Sequence, residues 1–392
     1  MSKTWSTAMS RAGSPPGGLR VPILLALLAM AGPLYIDIMP AIVAALRSEY
    51  GLDATQAGLV AASNGYGSTL GALLALVLVP RLHWRGMACG LLVALAVADI
   101  ATTMVRGYEG LVAVRAVHGV IGGLLVGLCY ALIARTPDPR LSFGILFVFH
   151  FGFGGLGIVA STMLAPTMTH GVVFLVLAGF GVLALAVLPW LPSLPPLAAP
   201  AGLAEAGRVL PPNRSLLRIG GLFLFQAANL GLGAFLIGIG ADLGHPASVA
   251  GAAVGIGLWA GVPGALIMLM LSRFFGWRPI VAVVLIAGFS KLLVGFGDEP
   301  AVFICAVATV FLVMAMALPY AFAICAEGDG SGHSAVLAGF ASKLGLSTGP
   351  AVGGLIYGVG PEALIGTAAA TTTVAAALFA LSLRPPATRS AG

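Results

Sequence analysis

About twelve apolar stretches, each near 20 residues long, constrain this 392-residue chain more than any other feature. Crossing ~30 Å of hydrocarbon at 1.5 Å rise per residue takes about 20 apolar residues in a helix. The stretches run 21–46, 57–80, 87–105, 111–134, 143–165, 172–191, 216–240, 247–272, 280–296, 301–325, 335–358 and 364–383, and are numbered here as spans 1 to 12. Leu, Ala, Gly and Val run unbroken through them, which suits helices and not the short alternating segments of a membrane β-barrel. With 59% hydrophobic and 8% charged residues and a mean hydropathy of +1.06, the chain has an apolar surface that only lipid would tolerate. The sequence therefore predicts an all-α membrane protein.

The N-terminus, MSKTWSTAMSRAGSPPGGLR, is basic and precedes an apolar run, as in a signal peptide. The run from Val21 to Leu46 is too long for a signal core, contains Asp37 and is followed by further spans, so it is read as a retained membrane helix. Cys89, Cys129, Cys305 and Cys325 show no CxxC spacing and imply neither a disulfide framework nor a metal site; no cofactor is expected. With the N-terminus in the cytoplasm, the inner segments hold Lys3, Arg11, Arg20, Arg81, Arg85, Arg135, Arg140, Arg208, Arg214, Arg218, Arg273, Arg278, Arg384 and Arg389, and the outer loops only Arg47 and Arg106. The outer loops collect Glu49, Asp53, Glu109, Asp242, Asp298, Glu299 and Glu362 instead. The expected location is a bacterial inner membrane, multi-pass, with both termini cytoplasmic. Basic residues scattered over short loops argue against a nucleic-acid partner, so the formal charge of +6 reports topology.

The chain divides into a tail (1–20), a six-helix bundle (21–191), a Pro-rich linker (192–215), a second six-helix bundle (216–383) and a tail (384–392). Shifting the second half by 193 positions lays Gly71–Arg85 (GALLALVLVPRLHWR) on Gly264–Arg278 (GALIMLMLSRFFGWR). The same shift pairs Ala57-Gly58 with Ala250-Gly251, Gly152 with Gly345 and His150 with Lys343. Two parallel repeats that bracket a central cavity can expose it to either side in turn.

Three local motifs join this layout. LVLVPRLHWR, between spans 2 and 3, keeps Leu78, Arg81 and Arg85 of the pattern G-x-L-x-D-R-x-G-R-R, with Pro80 and His83 at the Asp and Gly positions. RAVHGVIGG in span 4 matches R-x-x-x-G-x-x-x-G through Arg115, Gly119 and Gly123, and GLSTGPAVGG (Gly345–Gly354) in span 11 carries a Gly-Pro motif. Together they resemble the major facilitator superfamily, above all its bacterial drug and metabolite:proton antiporters. The resemblance implies a secondary transporter with twelve transmembrane helices in two pseudo-symmetric six-helix bundles, functional as a monomer in the lipid bilayer. It implies proton-coupled efflux of a small organic compound, in one version anionic, with proton symport of an organic acid as the alternative. In those antiporters the Gly-Pro motif lies in span 5, so its place in span 11 leaves the direction of transport open.

GLSTG also fits the serine-hydrolase pattern G-x-S-x-G, and Gly152, Gly154 and Gly157 spell G-x-G-x-x-G. Both lie inside spans, without the strand-to-helix turn or βαβ unit their chemistry requires, and are read as packing glycines. With no HExxH, acid-rich diphosphate motif or Ser/His/Asp set, the chain is not read as an enzyme.

Ionised groups at bilayer depth cost at least ~2.5–3.5 kcal/mol each on insertion scales, which singles out Asp37, Asp99, Arg115, Lys291 and Lys343. Asp37 lies between Pro33 and Pro40, which free backbone carbonyls around it, and Arg115 enters span 4 about one turn from the same side. An Asp37–Arg115 pair is expected, either as a proton site made and broken during transport or as a permanent bridge. The family resemblance favours the proton site. Asp99 reads as a proton or substrate group or as an interhelical partner, and Lys291 as a side chain that snorkels to the interface. Lys343 lies roughly 12 Å into span 11 and reads as an anion site facing His150, as the partner of an acid, or as a vestibule lining. His118 and His150 are functional candidates or plain interhelical hydrogen-bonding groups. Asn64, Tyr66, Tyr130, Gln226, Asn229 and Trp259 complete the candidate substrate pocket, with interhelical hydrogen bonding as the alternative for each.

Overall fold

The computed structural model describes residues 18–165, 171–192, 213–276, 278–326 and 333–383. The expected tails, except residues 18–20, and linker residues 193–212 lie outside them. Among the described residues the chain is helical and forms twelve spans. Span 1 comprises Arg20–Met30, Leu34–Asp37 and Met39–Ser48. Spans 2 to 6 are Ala54–Leu78, Trp84–Met104, Tyr108–Ile133, Pro139–Leu164 and Val172–Val187. Span 7 is Asn213–Gly233 continued by Leu236–Asp242, starting inside the stretch read as linker. Spans 8 to 12 are Ala247–Phe275, Ile280–Leu292, Pro300–Ala326, His333–Tyr357 and Pro361–Leu383. Nine of the helices are long and apolar enough to cross a membrane as single pieces.

The breaks and starts have local causes. Span 1 loses its ladder around Gly32-Pro33 and again at Ile38, one residue past Asp37, where Pro40 cannot donate. Span 2 starts on a capping box, in which Asp53 Oδ1 accepts from the Gln56 backbone N–H (2.8 Å) and Gln56 Oε1 from that of Asp53 (3.2 Å). Asp138 caps span 5 through the Leu141 N–H (3.0 Å).

Packing repeats across the halves. Spans 2 and 4, 3 and 6, and 1 and 5 pack together, as do 8 and 10, 9 and 12, and 7 and 11. The bundles meet along two equivalent seams, span 2 against span 11 and span 5 against span 8. Glycines set the distances. A Cβ on Gly67, Gly71, Gly119 or Gly123 would collide with a backbone carbonyl of the facing helix in the span 2–4 pair, and one on Gly264, the repeat equivalent of Gly71, with that of Leu312 in span 10.

The close approaches between bundles run from the middle of the spans to the side away from the termini, here the far side. A Cβ on Gly58 would strike the Pro350 carbonyl and one on Gly354 that of Ala54; on the other seam, one on Gly251 would strike Thr162. Toward the terminal side the seams part, and Phe340 and Val336 on span 11 and Phe147 on span 5 become exposed. The glycine contacts that tie the bundles together thus lie from the middle of the spans to the far side, while Gly144 and Gly339, nearer the terminal side, have nothing within 4 Å of an added Cβ. Because Gly119 has no room, Gly119→Ala should lower stability in detergent by ~1–3 kcal/mol, the usual range for overpacking. Gly179→Ala in span 6, with nothing within 4 Å of the added methyl, should leave the thermal midpoint unchanged.

Candidate transport site

Arg115 pairs with Asp99, not with Asp37. Its Nη1 donates to Asp99 Oδ1 at 2.8 Å, and its Nη2 to the Ala98 carbonyl (2.9 Å) and the Thr102 hydroxyl. His118 Nε2 lies 3.2 Å from the same Asp99 oxygen, and Asn64 Nδ2 is 2.7 Å from His118 Nδ1 and donates to the Arg115 carbonyl at 3.2 Å. An amide nitrogen can only donate, so His118 carries its proton on Nε2 and donates to Asp99. Arg115, Asp99, His118 and Asn64 are all buried, and the guanidinium stacks 4.8 Å from the Phe174 ring. The expected Asp37 partner is displaced because span 3 packs directly on span 4, which sets Asp99 at the arginine first. Asn64 thus lies in an interhelical network, away from the cleft.

Asp37 pairs with His150, whose Nδ1 donates to Asp37 Oδ2 at 2.8 Å, the two side chains 14% and 18% exposed. Gly154, one turn along span 5, permits the approach, since a Cβ there would lie 2.9 Å from that of Asp37. The acid sits at the second break of span 1. His150 stands where its seam opens, with exposed Phe147 on the same face toward the terminal side (ring centroids 6.2 Å) and glycines closing on span 8 toward the far side. Tyr130, partly exposed, packs edge-on against Phe143 at 5.5 Å.

Lys343 occupies the equivalent place on the other seam. Ser347 on its face touches Gly65 of span 2 toward the far side, while Phe340 and Val336 are exposed toward the terminal side. Among the described residues it has no acidic partner within 4.0 Å, and its ammonium donates to Ser68 Oγ at 3.5 Å. Two aromatics 193 positions apart bridge the seams. The Tyr66 hydroxyl bonds Thr348 Oγ1 (3.0 Å), and Trp259 Nε1 donates to the Gly152 carbonyl (3.2 Å). Gln226 Nε2 donates to Ser342 Oγ (2.9 Å), and Asn229, buried on span 7, leaves both amide atoms unpartnered. Lys291 does not snorkel: it is wholly buried, with Nζ donating to the Ala287 carbonyl (3.1 Å) and 5.9 Å from the Phe225 ring. Span 9 turns it toward span 7 instead of the interface. No group of His, Cys, Asp and Glu among the described residues could hold a metal ion.

A third contact closes the far side, and sequence reasoning missed it. The Arg47 guanidinium, at the end of span 1, lies 4.7 Å from the Tyr357 ring centroid; Tyr357 stacks on Phe235 (4.9 Å) and donates its hydroxyl to Asp242. Arg47 Nη1 and Tyr357 Oη would each be 2.9 Å from a Cβ on Gly238. Only Arg47 comes from the first half. The one signal in the sequence was a basic residue on the side that otherwise collects acids.

Two six-helix bundles that meet along two equivalent seams, with a charged side chain at mid-depth on each, have the layout of a membrane carrier. The chain belongs to the Major Facilitator Superfamily, whose profile matches residues 23–343. Its fold is that of solved transporters. A variant of the nucleoside transporter NupG superposes with a TM-score of 0.75 at 12% identity, covering 93% of this chain and 100% of that one. NupG itself gives 0.71 at 14% identity, over 94% and 99% of the two chains. A D-xylose-proton symporter gives 0.72 at 15% identity, over 92% and 96%. No curated protein sequence matches the chain significantly. The family is one of membrane-embedded transporters of small molecules.

Arg115→Met should destabilise the protein by ~3–5 kcal/mol by leaving Asp99 buried without its cation, read as loss of thermal midpoint in detergent. Arg47→Ala removes the clasp without touching the seams. A Ser347→Cys thiol, buried in the seam, should then react about tenfold faster with a membrane-impermeant maleimide from the far side, the change expected for loss of ~1.4 kcal/mol.

Proposed function

We propose that the protein is a proton-coupled secondary transporter of small organic compounds, with the Asp37–His150 pair as its proton site. The observation that carries this is the pair itself: a carboxylate and an imidazole 2.8 Å apart, partly exposed, at a break in span 1 and at the point where the cleft opens. The Asp99–Arg115–His118–Asn64 network holds its charges in fixed hydrogen bonds and serves as a structural anchor. Asp37 accepts a proton-bearing bond from His150 on a different helix, so relative movement of spans 1 and 5 changes the carboxylate's hold on a proton. Rocking about the two seams then alternates access, with Tyr66, Trp259 and Arg47 as the contacts that must part.

Seams that part toward the terminal side, which the Lys and Arg distribution assigns to the cytoplasm, support loading from inside and export in exchange for protons. Import by symport is the second reading, favoured by one observation. Asp37 already occupies His150, so a substrate anion that takes over the imidazole leaves Asp37 to be neutralised by a proton travelling with it. The structural likeness to a proton symporter agrees with that reading.

Proteoliposomes with an imposed pH gradient separate the two by the sign of substrate flux. Asp37→Asn should reduce gradient-driven transport to the level of protein-free vesicles while substrate counterflow persists. Wild-type response of the variant to the gradient would remove Asp37 from the coupling site.

A further inference from the structure

We infer, on the carrier reading above, that the substrate is a small organic monoanion, a carboxylate with an apolar body, held by Lys343 at the apex of the cleft. His150 and Lys343 stand 193 positions apart, at the same depth of spans 5 and 11, each where a sealed seam opens. The frame around them is duplicated, with Phe147 and Phe340 one turn toward the opening and Gly152 and Gly345 two residues on. The charge balance is not duplicated. His150 has the Asp37 carboxylate at 2.8 Å, whereas Lys343 has only the Ser68 hydroxyl at 3.5 Å and no acid within 4.0 Å among the described residues.

An ammonium at this depth without a counter-ion is costly to maintain, and the side chain is only half-buried, so a solute in the cleft can reach it. One uncompensated cation calls for one negative charge. Asn229, on the helix that packs against span 11, is a buried amide with neither atom partnered, so the wall behind Lys343 also holds polar capacity that the fold leaves unused. The exposed neighbours of Lys343 toward the opening, Phe340 and Val336, offer carbon surface to the rest of the ligand. A dianion would meet a single compensating charge, and a cation would meet the lysine.

The test uses the full chain in lipid nanodiscs, with benzoate and octanoate as anionic probes, uridine and xylose as neutral ones, and tetraphenylphosphonium as the cation. Thermal shift and tryptophan quenching read binding. At least one of the two carboxylates should bind the wild type, Lys343→Met should weaken that binding by about tenfold or more, and Lys343→Arg should stay within about threefold of wild type. The unliganded thermal midpoint of each variant reports folding, and Lys343→Gln, which keeps a polar tip at Ser68, should show the same loss should the methionine variant be unstable. Carboxylate binding unchanged in both neutral variants, or no carboxylate binding to the wild type, overturns the anion site. Counterflow in proteoliposomes is read separately. A carboxylate that binds through Lys343 without counterflow sinks the carrier reading and leaves the site standing; counterflow of uridine or xylose unaffected by Lys343→Met does the reverse.

Discussion

Helices in hydrocarbon gain nothing from burying apolar side chains against one another, so their association rests on how closely their backbones can approach. Glycine supplies that closeness here, and it does so in two settings. Within the first bundle, glycines on both faces of the span 2–4 crossing lock the helices into a permanent pair. Between bundles, Gly58, Gly65, Gly251 and Gly354 bring the seams equally close. The seams differ in having few polar ties across them among the described residues, chiefly the Tyr66 hydroxyl, the Trp259 indole and the long bond from Lys343 to Ser68. Close contact with few directed bonds is what a separable interface needs: good packing when shut, and little left unsatisfied when open.

The electrostatics divide along the same line. Among the described residues, the buried charges of the first bundle have partners, either in the Asp99–Arg115–His118–Asn64 network or in the Asp37–His150 pair. The second bundle holds two lysines at depth, Lys291 and Lys343, whose hydrogen bonds among the described residues go to a backbone carbonyl and a hydroxyl. Because Asp99, the Ala98 carbonyl and the Thr102 hydroxyl hold Arg115, the acid in span 1 is left with His150 as its side-chain partner among the described residues.

The helical layout was legible in the sequence because it depends on quantities the sequence carries directly: the length of apolar runs and the 193-residue repeat. The depth of Asp37 and Lys343, and the weakening of span 1 by Pro33 and Pro40, were legible for the same reason. Pairing was not. Whether Arg115 meets Asp37 or Asp99 depends on the rotation of three helices about their axes, and a turn of one residue, about 100°, decides it. Lys291 shows the same limit, since its distance from the span end gave no indication of which neighbour it faced. The Arg47 clasp joins the ends of spans 1, 7 and 11, and no periodicity connects residues so far apart in the chain.

The repeat places His150 and Lys343 at one geometric address written twice, and Tyr66 and Trp259 at another. A gene duplication hands a protein two copies of such an address along with the packing that supports both. Divergence at either then changes cargo chemistry by single codons while the scaffold stays as it was inherited. A lineage of such carriers can therefore change diet faster than it changes shape, and on the anion-site proposal the amino acid at position 343 is where this chain would record the change.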